Sequence, residues 1–188
     1  MEVLANGYSA GFFTQLPRRA PPDHGLRTTD YNSPMYSATL LLHSWLRWAV
    51  ILFGLIAIWR AIDGVRSRRA WLPGDDRVCK IFLGALDLQM LLGLLLYFVF
   101  SPLTKAALGD FAGAMKDPLM RFWAVEHVFG MIIGVALAHA GMSRARRAAT
   151  DTLRHRRVAI FFILALLIIL ASIPWPGRLL YGRPLFRW

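Results

Sequence analysis

Four long apolar runs constrain this sequence most, because each is long enough to cross a bilayer as a helix. They lie at about residues 38–59, 80–100, 122–142 and 158–175. About 20 mostly apolar residues are needed for each crossing, since lipid offers no partner to an unpaired backbone amide. Hydrophobic residues make up 56% of the 188 residues, which is more than an ordinary soluble domain contains. The sequence therefore predicts an all-α integral membrane domain over residues 38–188.

The connections between these runs are about 15 to 20 residues long, so consecutive helices can pack as antiparallel neighbours. We therefore expect an up-down-up-down four-helix bundle. Residues 1–37 are rich in Gly, Pro, Asn and Arg and contain no apolar segment of the secretory type, so we expect a disordered tail. Met35 lies just before the first run, which leaves two candidate start codons, Met1 and Met35.

The formal net charge of +11 raises the question of nucleic acid binding, but the positions of the charges favour a membrane. Of the 22 Lys and Arg residues, six lie between runs one and two and six between runs three and four. The N-terminal tail, the middle connection and the C-terminal tail carry only three each. By the positive-inside rule, the first and third connections are cytoplasmic and both termini lie outside a bacterial inner membrane. The lipid bilayer is the expected partner, and nucleic acid is not.

Ionisable residues inside a membrane span are costly and indicate function when a partner can be named. His43 and His127 lie in runs one and three, each about 8 Å below the outer boundary at 1.5 Å per residue. These two helices are diagonal and parallel in such a bundle, so inward-facing imidazoles at one depth can bind a flat group between them. That geometry predicts the two axial ligands of a b-type haem iron.

Two glycines follow His127 at i+3 and i+7, Gly130 and Gly134, and lie on nearly the same face of the helix. They predict a groove without side chains in which a porphyrin can lie. The same pair forms a GxxxG pattern, which also brings two helices together without a cofactor. Both interpretations stay open at this point.

Three further intramembrane groups need partners, and the sequence allows several. Arg47 can pair with Glu126, bind an anionic group such as a haem propionate, or extend to the interface. Asp87 and His139 have different predicted depths, so one interpretation is a pair with a water between the two side chains, which carries protons or holds a second polar ligand. The favoured interpretation is a protonated Asp87 that is hydrogen-bonded to a backbone carbonyl.

Several segments resemble a family of small four-helix bacterial membrane proteins described as cytochrome b-like. The matching stretches are LLLHSWLRW at 40–48, DLQMLLGLLLYF at 87–98, SPLTKAALGDFAGAMKDPLMRFWAVEH at 101–127 and IPWPGRLLYGRPLF at 173–186. The resemblance implies a membrane bundle with haem. By position, the conspicuous polar residues of that family correspond here to His43, Arg47, Asp87, Glu126, His127, Lys116 and Asp117. The tail before Met35 lies outside the resemblance.

Three functions are compatible with these features. The first is a haem b electron-transfer subunit with a quinone, other membrane subunits or a second copy as candidate partners. The second is a structural or assembly subunit of a larger respiratory membrane complex without catalytic activity. The third is a proton or small-solute pathway through Asp87 and His139. The sequence contains none of the soluble catalytic motifs, so we expect no independent enzymatic activity.

Overall fold

The computed structural model describes residues 33–178 and 180–186, and these residues form an all-helical fold without a β-strand. The predicted disorder of residues 1–37 falls almost wholly outside this range. The exception is the segment from Ser33 onward, where the first helix begins at Pro34.

Four long helices are apolar enough to span a membrane, and they confirm the predicted four-helix membrane fold. They are α1 (Pro34–Ser67), α2 (Pro73–Leu95), α6 (His127–Arg146) and α7 (Asp151–Ser172). Helix α1 has 34 residues and is therefore about 50 Å long, which exceeds the roughly 30 Å of a hydrocarbon core. All four helices begin or end beyond the apolar runs, because polar residues continue a helix once it has left the lipid.

Proline marks the start of several helices. Pro34, Pro73, Pro102 and Pro118 each occupy the first turn of a helix, where the missing amide hydrogen is not needed. Helix α1 ends where Arg68 adopts a left-handed conformation, with φ 50°. These stops and starts determine where the chain reverses direction.

The four helices form a square. Helix α1 packs along α2 and α7, and α6 packs along α7 and α2, so α1 and α6 are diagonal to each other. The chain reverses at residues 68–72 and 147–150 at one end of the bundle, which we call the basic end. Residues 33–36, 101–121, 173–178 and 180–186 lie at the other end, which we call the terminal end.

The connection at the terminal end folds into three short helices, α3 (Pro102–Gly109), α4 (Phe111–Ala114) and α5 (Pro118–Arg121). A wider π-helical turn lies on each side of it, at Leu96–Phe100 and at Phe122–Glu126. The Tyr97 hydroxyl of the first turn donates a hydrogen bond of 2.7 Å to the Ala124 carbonyl of the second. This bond joins the ends of α2 and α6 directly before His127.

Candidate functional site

A cavity of about 140 Å³ lies between the four long helices at the terminal end, and we call it the terminal cavity. Apolar side chains form most of its wall. Its polar lining consists of Tyr36, His43, Ser44, Arg47, Gln89, Tyr97, Ser101, Thr104, Trp123, His127 and Arg183. This lining contains two arginines and no carboxylate among the residues that the structure describes. The cavity therefore suits a largely apolar ligand with an anionic group.

His43 and His127 approach each other across this cavity, as the equal depths in the sequence predict. Their ring centroids are 6.5 Å apart, and the ring planes are inclined by 70°. The rings come from the diagonal helices α1 and α6, and both line the cavity. Two imidazoles thus face a common space in the middle of the bundle.

The His127 ring is held in one orientation by a backbone contact. Its Nδ1 lies 2.8 Å from the Ser172 carbonyl oxygen at the end of α7. A carbonyl accepts only, so Nδ1 must carry the hydrogen and Nε2 of the neutral ring keeps its lone pair. The arrangement leaves Nε2 as a basic nitrogen for a ligand.

The His43 ring has a different environment. Its Nδ1 is buried and has no hydrogen-bond partner among the described residues. Gly93 on α2 lies beside this edge of the ring, since a Cβ at Gly93 would be 3.2 Å from Cε1. Gln89 Nε2 donates a 3.0 Å hydrogen bond to the His43 carbonyl and ties α2 to α1 at this level. The position of Gly93 beside the His43 ring could not be predicted from the sequence, because a glycine in an apolar run does not indicate which side chain of another helix it contacts.

Arg47 does not pair with Glu126, contrary to one of the predicted alternatives. Its Nη2 donates to the Leu185 carbonyl at 2.7 Å, and Glu126 instead accepts from Arg121 at 2.7 Å. Glu126 is exposed at the terminal end. The predicted ion pair between Arg47 and Glu126 is therefore absent.

Residues 173–178 and 180–186 form a C-terminal strap across the terminal end. On the α1 side, the Phe186 ring stacks on Trp48 with centroids 5.4 Å apart. On the α6 side, the Tyr181 ring stacks on Phe122 with centroids 3.8 Å apart, and Arg183 lies 5.2 Å from the centre of the Trp123 ring. The strap covers the cavity beside the two histidines.

Gly130 and Gly134 do not line the terminal cavity, which corrects the prediction that they leave a groove for a cofactor. A Cβ at Gly130 would overlap the Ser172 side chain, and one at Gly134 would lie 2.6 Å from Ile169 Cγ1. Both contacts belong to α7. The two glycines bring α6 and α7 together, as the GxxxG alternative proposes.

Asp87 and His139 form a direct hydrogen bond, whereas the sequence favoured a protonated Asp87 bonded to a backbone carbonyl, with a water-bridged pair as the other interpretation. His139 Nε2 lies 2.7 Å from Asp87 Oδ1. Packing of α2 against α6 brings the two side chains together, although Asp87 lies 14 residues after the start of α2 and His139 seven residues before the end of α6. The pair lies on the outer surface of the bundle, so it is separate from the terminal cavity.

The resemblance also carried over Lys116 and Asp117, and both lie at the terminal end. The Asp117 carboxylate accepts hydrogen bonds from the amides of Leu119 and Met120 at 2.7 and 3.0 Å, so it caps α5. Lys116 is exposed. Asp117 therefore stabilises the start of α5.

The basic end contains an ionic cluster that the sequence reasoning missed. The Asp75 carboxylate is 2% exposed and accepts hydrogen bonds from Arg60 Nε at 2.8 Å and Arg69 Nη1 at 2.6 Å. Hydrogen bonds to Asp75, and then to Asp63, raise the pKa of the Arg69 guanidinium. The sequence feature that could have predicted this cluster is the acidic first turn of α2 after Pro73, which follows closely after Arg60 and Arg69. This cluster fixes the first connection against α1 and α2.

Comparison of the chain with family models, curated proteins and solved structures gave no match. The resemblance to cytochrome b-like proteins therefore stays a prediction, and the site has to be interpreted from its own geometry.

Proposed function

We propose that this protein is an integral membrane b-type haem protein that takes part in electron transfer, in which His43 and His127 would hold the iron. Haem b supplies a one-electron redox couple when it is bound. The chain itself would hold the ligand, shield it from water and set its surroundings. The proposal includes no chemistry on a substrate.

The distance between the two rings carries the proposal. A metal–imidazole bond is about 2 Å, and the ring centre lies about 1.2 Å beyond the nitrogen, so two imidazoles on opposite sides of one metal have centroids about 6.4 Å apart. The observed separation is 6.5 Å. Direct hydrogen bonding would bring the rings closer, and simple packing would not require imidazoles on both diagonal helices.

The hydrogen bond of His127 supports the same conclusion. Metal-binding histidines usually donate their second ring nitrogen to a carbonyl or a carboxylate, which fixes the tautomer and the orientation. Nδ1 of His127 makes this contact with Ser172, and Nε2 is left for the iron.

The composition of the site favours haem over a metal ion bound by the protein alone. In residues 33–178 and 180–186, no three His, Cys, Asp or Glu side chains converge as a metal site. A metal between two histidines therefore needs further ligands, and a porphyrin supplies four nitrogens. Arg47 and Arg183 in the cavity lining match the anionic propionates of such a group.

We further propose a location in the bacterial inner membrane with the terminal end outside. The distribution of Lys and Arg supports this orientation, since twelve of the 22 lie in or beside the two connections at the basic end. In intact cells, a cysteine placed at Gly109 should react with an impermeant thiol reagent, whereas one placed at Ala149 should not. The wild-type chain is the control, because its single cysteine, Cys79, is buried. The reverse labelling pattern would contradict this orientation.

The absorption spectrum of the purified protein tests the haem proposal. We expect a reduced-minus-oxidised difference band of the b type, lost in both His43→Ala and His127→Ala. His139→Ala is the matched control, because it removes an imidazole from the same helix as His127 but outside the cavity, and it should keep the band. A folded wild-type protein that remains colourless after expression with sufficient haem would overturn the proposal. The structural or assembly role would then remain, and co-purification with a respiratory complex would test it.

A further inference from the structure

The hydrogen-bonded pair Asp87–His139 occupies an unusual place, within two membrane-spanning helices and on the outside of the bundle. Asp87 lies near the middle of the helical span Pro73–Phe100, and His139 lies about 10 Å before the end of α6 at Arg146. The Asp87 side chain is 53% exposed and the His139 side chain 47%. The pair bridges α2 and α6 and does not enter the cavity lining.

Between this pair and the terminal end, the outer surface of α2 and α6 is apolar and exposed. Leu88 and Leu91 on α2, and Phe129 and Ile132 on α6, are between 48% and 60% exposed. Such side chains suit lipid, but a half-exposed carboxyl and imidazole do not, because the hydrocarbon core offers no hydrogen bonds. Intramembrane ionisable groups almost always face a protein interior or a polar partner. The pair therefore indicates that another surface covers this face.

Each member of the pair keeps one hydrogen-bonding atom unused. Within the part of the chain that the structure describes, Oδ2 of Asp87 and Nδ1 of His139 make no hydrogen bond, since only Oδ1 and Nε2 meet. One atom accepts, and the other donates when it carries the hydrogen. A facing surface with an imidazole opposite Asp87 and a carboxyl opposite His139 would give each atom a partner. A second copy of this chain, related by a two-fold axis, has that surface.

We propose that the face formed by α2 and α6 binds a second copy of this chain in a two-fold dimer, with Asp87 and His139 at its centre. In a two-fold interface each contact occurs twice, so His139 of each copy forms a hydrogen bond with Asp87 of the other copy. Gly84 lies one turn before Asp87, and a Cβ there would meet no atom within 4 Å, so a second helix can approach its backbone. This dimer does not depend on haem, because the pair lies outside the cavity.

Cross-linking in lipid vesicles tests the position of the interface. Leu91→Cys lies one turn from Asp87 on the proposed face, whereas Leu52→Cys on α1 is equally exposed at 55% but lies away from it. We expect cross-linked dimers for Leu91→Cys and none for Leu52→Cys or the wild type, in which Cys79 is buried. Equal cross-linking of the two variants would overturn the proposed face.

The dissociation constant of the dimer tests the role of the pair. Energy transfer between labelled copies in vesicles, across a range of protein-to-lipid ratios, should give a dissociation constant at least about tenfold larger for Asp87→Asn and for His139→Gln. Circular dichroism would verify that both variants stay helical. A wild-type monomer at every ratio would overturn the proposal and leave lipid or another protein as the cover of this face. An unchanged dissociation constant in both variants would overturn it equally. The haem spectrum should be the same in both variants, so this test and that of the haem proposal fail separately.

Discussion

The two halves of the bundle differ in how they fill the space between the same four helices. Toward the basic end, large side chains such as Phe82 and Phe162 meet with ring centroids 4.9 Å apart and are fully buried. Toward the terminal end, the corresponding space is a cavity with a histidine on each of two diagonal helices. Side chains therefore fill the space between the helices in the basic half of the bundle, whereas they leave a cavity in the terminal half.

The two halves also differ in how their charged side chains are paired. At the basic end, the buried carboxylate of Asp75 is matched by two arginines. At the terminal end, Arg47 donates to a backbone carbonyl, and no carboxylate lines the cavity in the described part of the chain. The basic half therefore has the composition of a structural core, and the terminal half contains the cavity in which we propose that haem binds. Substitutions in the two halves should separate stability from ligand binding.

The largest effect is expected in the packed half. Phe162→Ala removes a fully buried ring and should lower the free energy of unfolding by about 3 to 5 kcal/mol. Thermal unfolding in detergent measures the loss, and the protein that remains folded should keep its b-type band. Leu167→Ala removes an exposed side chain from the same helix, away from the proposed dimer face, and serves as the control, with little change expected. Loss of the band in folded Phe162→Ala protein would contradict the separation of the two halves.

A smaller loss should follow from disruption of the ionic cluster. Asp75→Ala leaves Arg60 and Arg69 without their shared carboxylate and should cost about 2 to 3 kcal/mol, the usual range for hydrogen bonds to a charged group. The same unfolding measurement applies. Asp110→Ala is the control, because it removes an exposed carboxylate at the other end of the bundle. If Asp75→Ala were no worse than Asp110→Ala, the cluster would have no structural role.

The smallest effect on stability concerns a glycine beside the cavity. Gly93→Ala places a methyl group 3.2 Å from His43 Cε1, so the ring must shift by a few tenths of an ångström. We expect a change in unfolding free energy below about 1 kcal/mol, together with a weaker affinity for haem. Gly84→Ala on the same helix meets nothing and should leave haem affinity unchanged. Equal haem affinities in the two variants would show that the His43 position does not control binding.

The equal depth of His43 and His127 could be derived from the sequence, because helix rise is constant and both residues were counted from the same side of the membrane. The contact between Asp87 and His139 could not be derived in this way. Asp87 lies 14 residues after the start of α2 and His139 seven residues before the end of α6, so counting along the helices does not place the two at one depth. The sequence also could not show whether Gly130 and Gly134 face a helix or a ligand, since a GxxxG pattern has the same spacing in both cases.

The four membrane-spanning helices were determined by the sequence alone, because the requirement for paired backbone amides in lipid acts on each apolar run separately. The neighbours of each helix face were decided only by the tertiary structure. Rotation of a helix about its axis depends on side-chain packing between helices, and packing places His127 toward His43, Gly130 against α7 and Asp87 against His139 on the outer surface.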